Sequence, residues 1–194
     1  MKSANEIGDT PGCLAQTVHS SAPGRRVPDF LANGPVTPMR PVTNIVVSGL
    51  GGQGVLKASD ILAELAFRAG LDVKKSEIHG MSQRGGSVSS DVRFGEKVFS
   101  PMVPEGEADF LVVLAAEWAD VSRPALKPGG ILIEPSQIDQ RRLRNKKSLN
   151  VALLGRLSRH LEFSEEAWRA AILANLAPKL HDANLQAFAI GRGE

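Results

Sequence analysis

The chain has 194 residues, 42% of them hydrophobic, which is enough for one domain with a buried core. A formal charge of +2 and 5% aromatic residues argue against nucleic-acid binding, which asks for a basic face or a stacking platform. Its single cysteine, Cys13, excludes a thiolate zinc site or an iron–sulfur cluster built by this chain alone, and no apolar run approaches the roughly 20 residues that cross a bilayer. With neither the apolar core of a signal peptide nor a basic amphipathic transit helix near its start, the sequence predicts a cytoplasmic protein without membrane contact.

Residues 1–43 carry prolines at 11, 23, 28, 35, 38 and 41 and no sustained hydrophobic period, a composition that predicts a flexible arm. Such an arm is either an idle extension or a strap around a partner. Residues 44–190 form the expected domain. Asn44–Ser48 reads as a strand, followed by a glycine-rich turn and a helix with Ala58, Ile61, Leu62, Leu65, Ala66 and Ala69 on one face. Leu71–Ile78 predicts a second strand. Val88, Val92 and Phe94 alternate with Ser89, Asp91 and Arg93 in a third, antiparallel because no helix-length crossover precedes it. Gly95-Glu96 then predicts a turn into a short hairpin partner ending near Phe99.

Ala108–Ala115 is a near-continuous apolar run of the doubly buried kind, followed by a short helix from Glu117 to about Leu126 and a Lys-Pro-Gly-Gly turn into Ile131–Ile133. Leu153, Leu154, Leu157 and Leu161 mark an amphipathic helix. Ser164 with Glu165 and Glu166 predicts a capped helix burying Trp168, Ala171, Ile172 and Leu176, and Asp182–Ala189 a closing helix.

Two glycine-dense turns carry the functional reading. In the first, Gly49, Gly51 and Gly54 are expected to allow positive φ and close backbone approach. Gly52 removes a further side chain, so that free amides at the helix start face a phosphate or carboxylate. A dinucleotide site of this type also asks for an acid about 20 residues on, and Glu77 stands there, beside the unusual neighbours Lys74 and Lys75. The alternative is that these glycines only let the helix pack closely on the sheet.

The second turn, His79-Gly80-Met81-Ser82-Gln83-Arg84-Gly85-Gly86, holds more chemistry than a connection needs. Arg84 suits a carboxylate or phosphate, His79 a proton or hydrogen bond near neutral pH, and Gln83 either partner role. The alternative is a polar network that joins two strand ends or meets a neighbouring subunit. The basic run Arg141-Arg142-Leu143-Arg144-Asn145-Lys146-Lys147 is either a solvated loop or an anion-attracting lip for a polyphosphate such as coenzyme A or an acidic ferredoxin. Pro101 and Pro104 stiffen an apolar segment suited to an interface.

These words resemble a known family. Gly49-Leu-Gly-Gly-Gln-Gly54, Ser76–Val88, Ser100-Pro101 with Pro104-Glu-Gly-Glu-Ala-Asp109, and Leu126-Lys-Pro-Gly-Gly130 are similar, in this order, to the gamma subunit or domain of 2-oxoacid:ferredoxin oxidoreductases, with the indolepyruvate branch the nearest match. The resemblance spans about residues 44 to 190. It implies a three-layer α/β/α domain with a mixed, mostly parallel, Rossmann-like sheet, like domain III of pyruvate:ferredoxin oxidoreductase.

It also implies an enzyme that decarboxylates a 2-oxoacid to an acyl-CoA, using thiamine diphosphate with its Mg2+ and 4Fe–4S clusters on a partner subunit, and ferredoxin as electron acceptor. This chain is then inactive alone, holds no metal or catalytic residue, and is able to pair with itself in isolation. The cofactor-side residues implied are Gly49, Gly51, Gly52, Gln53 and Gly54 near an anionic group, with His79, Gln83, Arg84, Gly85 and Gly86 facing the active-site side of the interface. Two readings compete: a free-standing dinucleotide-binding reductase and a purely architectural subunit.

Overall fold

In a computed structural model, the structure describes residues 41–80 and 86–194. Their order is β1 (Thr43–Leu50), α1 (Val55–Arg68), β2 (Asp72–His79), β3 (Ser87–Gly95), β4 (Ala108–Val113), α2 (Ala119–Ser122), β5 (Leu126–Ile133), α3 (Leu149–Leu157), α4 (Glu165–Asn175) and α5 (His181–Arg192). The proposed arm, apart from residues 41–43, lies outside the described residues.

The five strands lie in the order β2-β3-β1-β4-β5. β1 pairs parallel with β4, and β4 with β5, while β3 runs antiparallel to both β1 and β2. Four strands therefore share one direction and β3 alone is reversed, giving the mixed, mostly parallel α/β sheet. Because β3 inserts itself between β1 and β2, the end of β2 stands two strand spacings, roughly 10 Å, from the turn after β1.

The main core lies on one face, where Ile45, Val47, Val92, Val112 and Ile133 meet α1, α3, α4 and α5. Ser164 caps α4 by accepting from Ala167 N at 3.2 Å, and Trp168 is fully buried between the rings of Phe163 and Phe188. The third layer is thin: Val46, Ala108, Leu111 and Val113 pack under Ala119 and the broken helical stretch 116–125.

Several expectations change. The segment after Gly95 is no strand. It is an irregular strap whose Val98 turns into the core and donates its amide to Asp72 Oδ2 at 2.9 Å. The predicted helix from Glu117 is two short 3-10 turns around α2, with Pro124 inside the second turn. Lys127-Pro-Gly-Gly130 is part of β5: Ala108 pairs with Leu126 but Phe110 with Ile131, so the extra residues bulge, with Gly129 at φ 79°. α3 is buried on nearly every side instead of amphipathic, because α5 and the sheet sandwich it. Ala69 caps α1 in an exposed position.

Candidate functional site

β1 ends buried, and its chain turns sharply over residues 50–54 into α1. The positive φ angles fall at Gly52 (90°) and Gly54 (87°), whereas Gly49 and Gly51, expected to share them, do without. Gly49 belongs to β1, and its role is space: a Cβ there would lie 2.8 Å from Gln53 Oε1 and 3.0 Å from Leu114 Cβ. Gln53 folds back on the turn, its Oε1 accepting from Leu50 N at 2.8 Å and its own amide donating to Leu50 O at 3.1 Å. Its side-chain oxygen thus holds the turn together.

Gly54 caps α1 in the left-handed conformation, with no side-chain cap and no acidic residue in the first turn. The amides of Gly52, Gly54, Val55 and Leu56 meet no backbone acceptor among the described residues, and they sit at the positive end of the helix dipole. Gly51 and Gly52 are exposed, so this end of the helix opens to solvent.

The two glycine turns touch. Gly51 donates to the carbonyl of Gly86 at 2.9 Å, and Gly80 donates to Ser87 at 2.8 Å, so the β2–β3 connection is anchored at its base beside the first turn. His79 ends β2 half-exposed, its Nε2 3.6 Å from Glu77 Oε2. Gln83, Arg84 and Gly85 lie outside the described residues.

A second arrival comes from far along the chain. A cavity of about 230 Å³ beside the first turn is lined by Gly52, Gln53, Leu114, Lys146, Lys147 and Leu149. The basic run, split by 3-10 turns that Asp139 and Asn145 cap, delivers Lys146 and Lys147 there just before α3 begins. Asn150, in the first turn of α3, fixes the register by donating from Nδ2 to Gly54 O at 3.1 Å. Asn150 is not singled out by the sequence; its one signal is a polar residue in the first turn of a helix whose other residues, Arg156 apart, are apolar or glycine.

Glu77, the residue a dinucleotide site would need, is otherwise engaged. Lys75 Nζ lies 2.7 Å from Glu77 and 2.5 Å from Asp60 on α1, and the Lys75 hydrogen bond holds the Glu77 carboxyl below its ordinary range. Combined with the two-strand separation, this removes the ribose-binding acid from the first turn. Among the described residues no group of three or more His, Cys, Asp or Glu is placed to hold a metal ion, and no helix is long and apolar enough to cross a membrane.

Residues 44–141 match the family described as pyruvate ferredoxin/flavodoxin oxidoreductase. The indolepyruvate oxidoreductase subunit IorB of Thermococcus kodakarensis is 37% identical in an alignment 190 positions long that covers 76% of this chain and 93% of that protein. The gamma subunit of a keto/oxoacid ferredoxin oxidoreductase from Geobacter sulfurreducens superposes with a TM-score of 0.65 at 26% identity, over 77% of this chain and 95% of that one. The 2-oxoglutarate:ferredoxin oxidoreductase of Magnetococcus marinus, solved with 2-oxoglutarate, coenzyme A and succinyl-CoA, shares the fold at a TM-score of 0.67 and 20% identity, over 78% of this chain but 30% of that one. On the matched residues and the coverage of its relatives, the chain belongs to the pyruvate ferredoxin/flavodoxin oxidoreductase family.

Proposed function

We propose that the chain is the coenzyme-A-side subunit of an enzyme that oxidatively decarboxylates an aryl-pyruvate, indolepyruvate foremost, to the acyl-CoA and passes the electrons to ferredoxin. One observation carries the reading: the open amides of the first glycine turn, the anchored base of the second turn and the Lys146–Lys147 pair converge on one rim of the sheet. Convergent amides and ammonium groups at a helix start suit phosphate oxygens, and coenzyme A brings a diphosphate and a further phosphate. Arg84 is assigned the same duty from the second turn, with His79 and Gln83 toward the partner.

The bond-breaking chemistry belongs to a partner subunit with thiamine diphosphate, Mg2+ and 4Fe–4S clusters. Cys13, as the only cysteine, cannot hold a cluster by itself, which supports this division of labour. Coenzyme A does fit the donors at the turn, where it would supply the thiol that accepts the acyl group. This chain's part is to bind and orient that carrier. A cytoplasmic location for the complex is part of the same proposal.

Dinucleotide binding is the weaker reading because Glu77 is committed to Lys75. The architectural reading draws on Gly49 and Gln53, whose roles are internal to the turn. Purification of the native complex, followed by 2-oxoacid-dependent reduction of ferredoxin with and without coenzyme A, tests the proposal. Turnover of indolepyruvate that requires coenzyme A is expected. A complex inert toward every 2-oxoacid, or unchanged coenzyme A affinity in Arg84→Ala and Lys146→Gln/Lys147→Gln variants, overturns it.

A further inference from the structure

On the thinly covered face of the sheet, three charged side chains grip the backbone of residues 98–103. Asp72 Oδ2 accepts from Val98 N, and Asp91 Oδ2 from Val103 N, each at 2.9 Å. Arg93 Nη1 donates to Ser100 O at 3.0 Å and to Met102 O at 2.9 Å, while its Nε is steadied by Asn44 Oδ1 at 2.8 Å. Val98 and Val103 turn inward. Between them Phe99 and Met102 point outward, 82% and 54% exposed, and Pro101 and Pro104 restrict the backbone that carries them.

Exposed single apolar residues are ordinary, but a strap tied at four points to present two of them is not. Such a segment has already lost the freedom that binding would otherwise remove. Val103 of the strap packs in one cluster with Trp118 and Ala119 of the helical stretch, which also exposes Val121 of α2, so strap and helical stretch form one continuous cover.

Charge decides what this cover meets. Segments 96–107 and 116–125 carry five carboxylates, Glu96, Glu105, Glu107, Glu117 and Asp120, against two cations, Lys97 and Arg123, in a chain whose net charge is +2. A second copy seated face to face would set these carboxylates against themselves, and an anionic surface fares no better. In the Magnetococcus enzyme the same fold fills less than a third of the chain, so other parts of a polypeptide are at hand to cover it.

We propose that the strap 98–104, with Phe99 and Met102 as anchors and Val121 at its margin, is the docking surface for another subunit of the same complex, one offering apolar recesses within a basic rim. This rests on the subunit reading above.

The test uses the native complex purified through a tag on this chain, scored for the companion subunit and for its thiamine diphosphate and iron. The double variant Phe99→Ser/Met102→Ser should lose the companion at least tenfold with its melting temperature unchanged. Phe67→Ser, at an exposed apolar site on α1, should keep it. In the intact wild-type complex the amides of 98–104 should exchange more slowly than in the free chain. Full retention by the folded double variant, equal loss in Phe67→Ser, unaltered exchange, or a homodimer that the double variant abolishes overturns the proposal. A wild-type chain that brings no companion overturns the subunit reading itself.

Discussion

Asn150 reaches across 96 positions of sequence to donate to the carbonyl of Gly54, joining the first turn of α3 to the cap of α1. A Cβ at Gly54 would stand 2.5 Å from Asn150 Nδ2, at a φ of 87° that side chains rarely adopt. Gly54→Ala should therefore cost about 2 kcal/mol or more, from backbone strain plus the displaced hydrogen bond. Gly52→Ala falls at a similar φ of 90° but with open space around it, and should cost only about 1 kcal/mol. Urea midpoints of the two variants check the order; equal losses would refute the contact's importance.

Helices α3 and α5 cross where Gly155 faces Phe188 O and Gly191 faces Ala152 O, each with no room for a Cβ. Because these obstacles are backbone, the helices must move apart to accept a methyl group. Either Gly155→Ala or Gly191→Ala is expected to destabilise the fold by about 2–3 kcal/mol, despite the higher helix propensity of alanine. Thermal melts give the answer, and a stabilised variant would contradict the close crossing.

Lys75 bridges α1 and β2 through Asp60 and Glu77. Partial burial draws the Lys75 pKa down, but the two carboxylates outweigh it and leave the group above its ordinary 10.5. Burial raises Asp60, and Lys75 with Lys57 more than reverses this, so Asp60 sits below 3.8; Glu77, led by its Lys75 hydrogen bond, sits below 4.5. Depressed carboxyls stabilise the fold above their unfolded values, and that contribution is lost as pH falls through the folded ones. The raised lysine contributes fully below its unfolded value and loses this as pH rises through the folded one. Lys75→Met should flatten the pH profile of the urea midpoint at both the acid and the alkaline end. A profile parallel to wild type would show that the bridge contributes nothing.

The local pattern made most elements legible. Alternation in Val88–Phe94 identified the reversed strand, and Ser164 with two glutamates marked the start of α4. What composition hid was tertiary. No periodicity reveals that β3 separates β2 from β1, and this separation is what disqualifies Glu77. The bulge at Pro128–Gly130 reads locally as a turn, since its strand character comes only from pairing with β4. The glycines of the first turn stand together in the sequence, but their division of labour, with Gly49 yielding space and Gly52 and Gly54 yielding φ, depends on Gln53, Leu114 and Asn150 being in place. Likewise the basic run was visible, while its arrival beside Gly52 followed from the packing of α3.

In the function proposed above, the first glycine turn and the Lys146–Lys147 pair act together on a phosphate-bearing guest. Calorimetric titration of coenzyme A into the assembled complex addresses it most directly. Replacing both lysines by glutamine should weaken binding about tenfold or more, the loss expected for charge-assisted contacts to phosphate, with a shallower salt dependence. Affinity and salt dependence identical to wild type would contradict the claim.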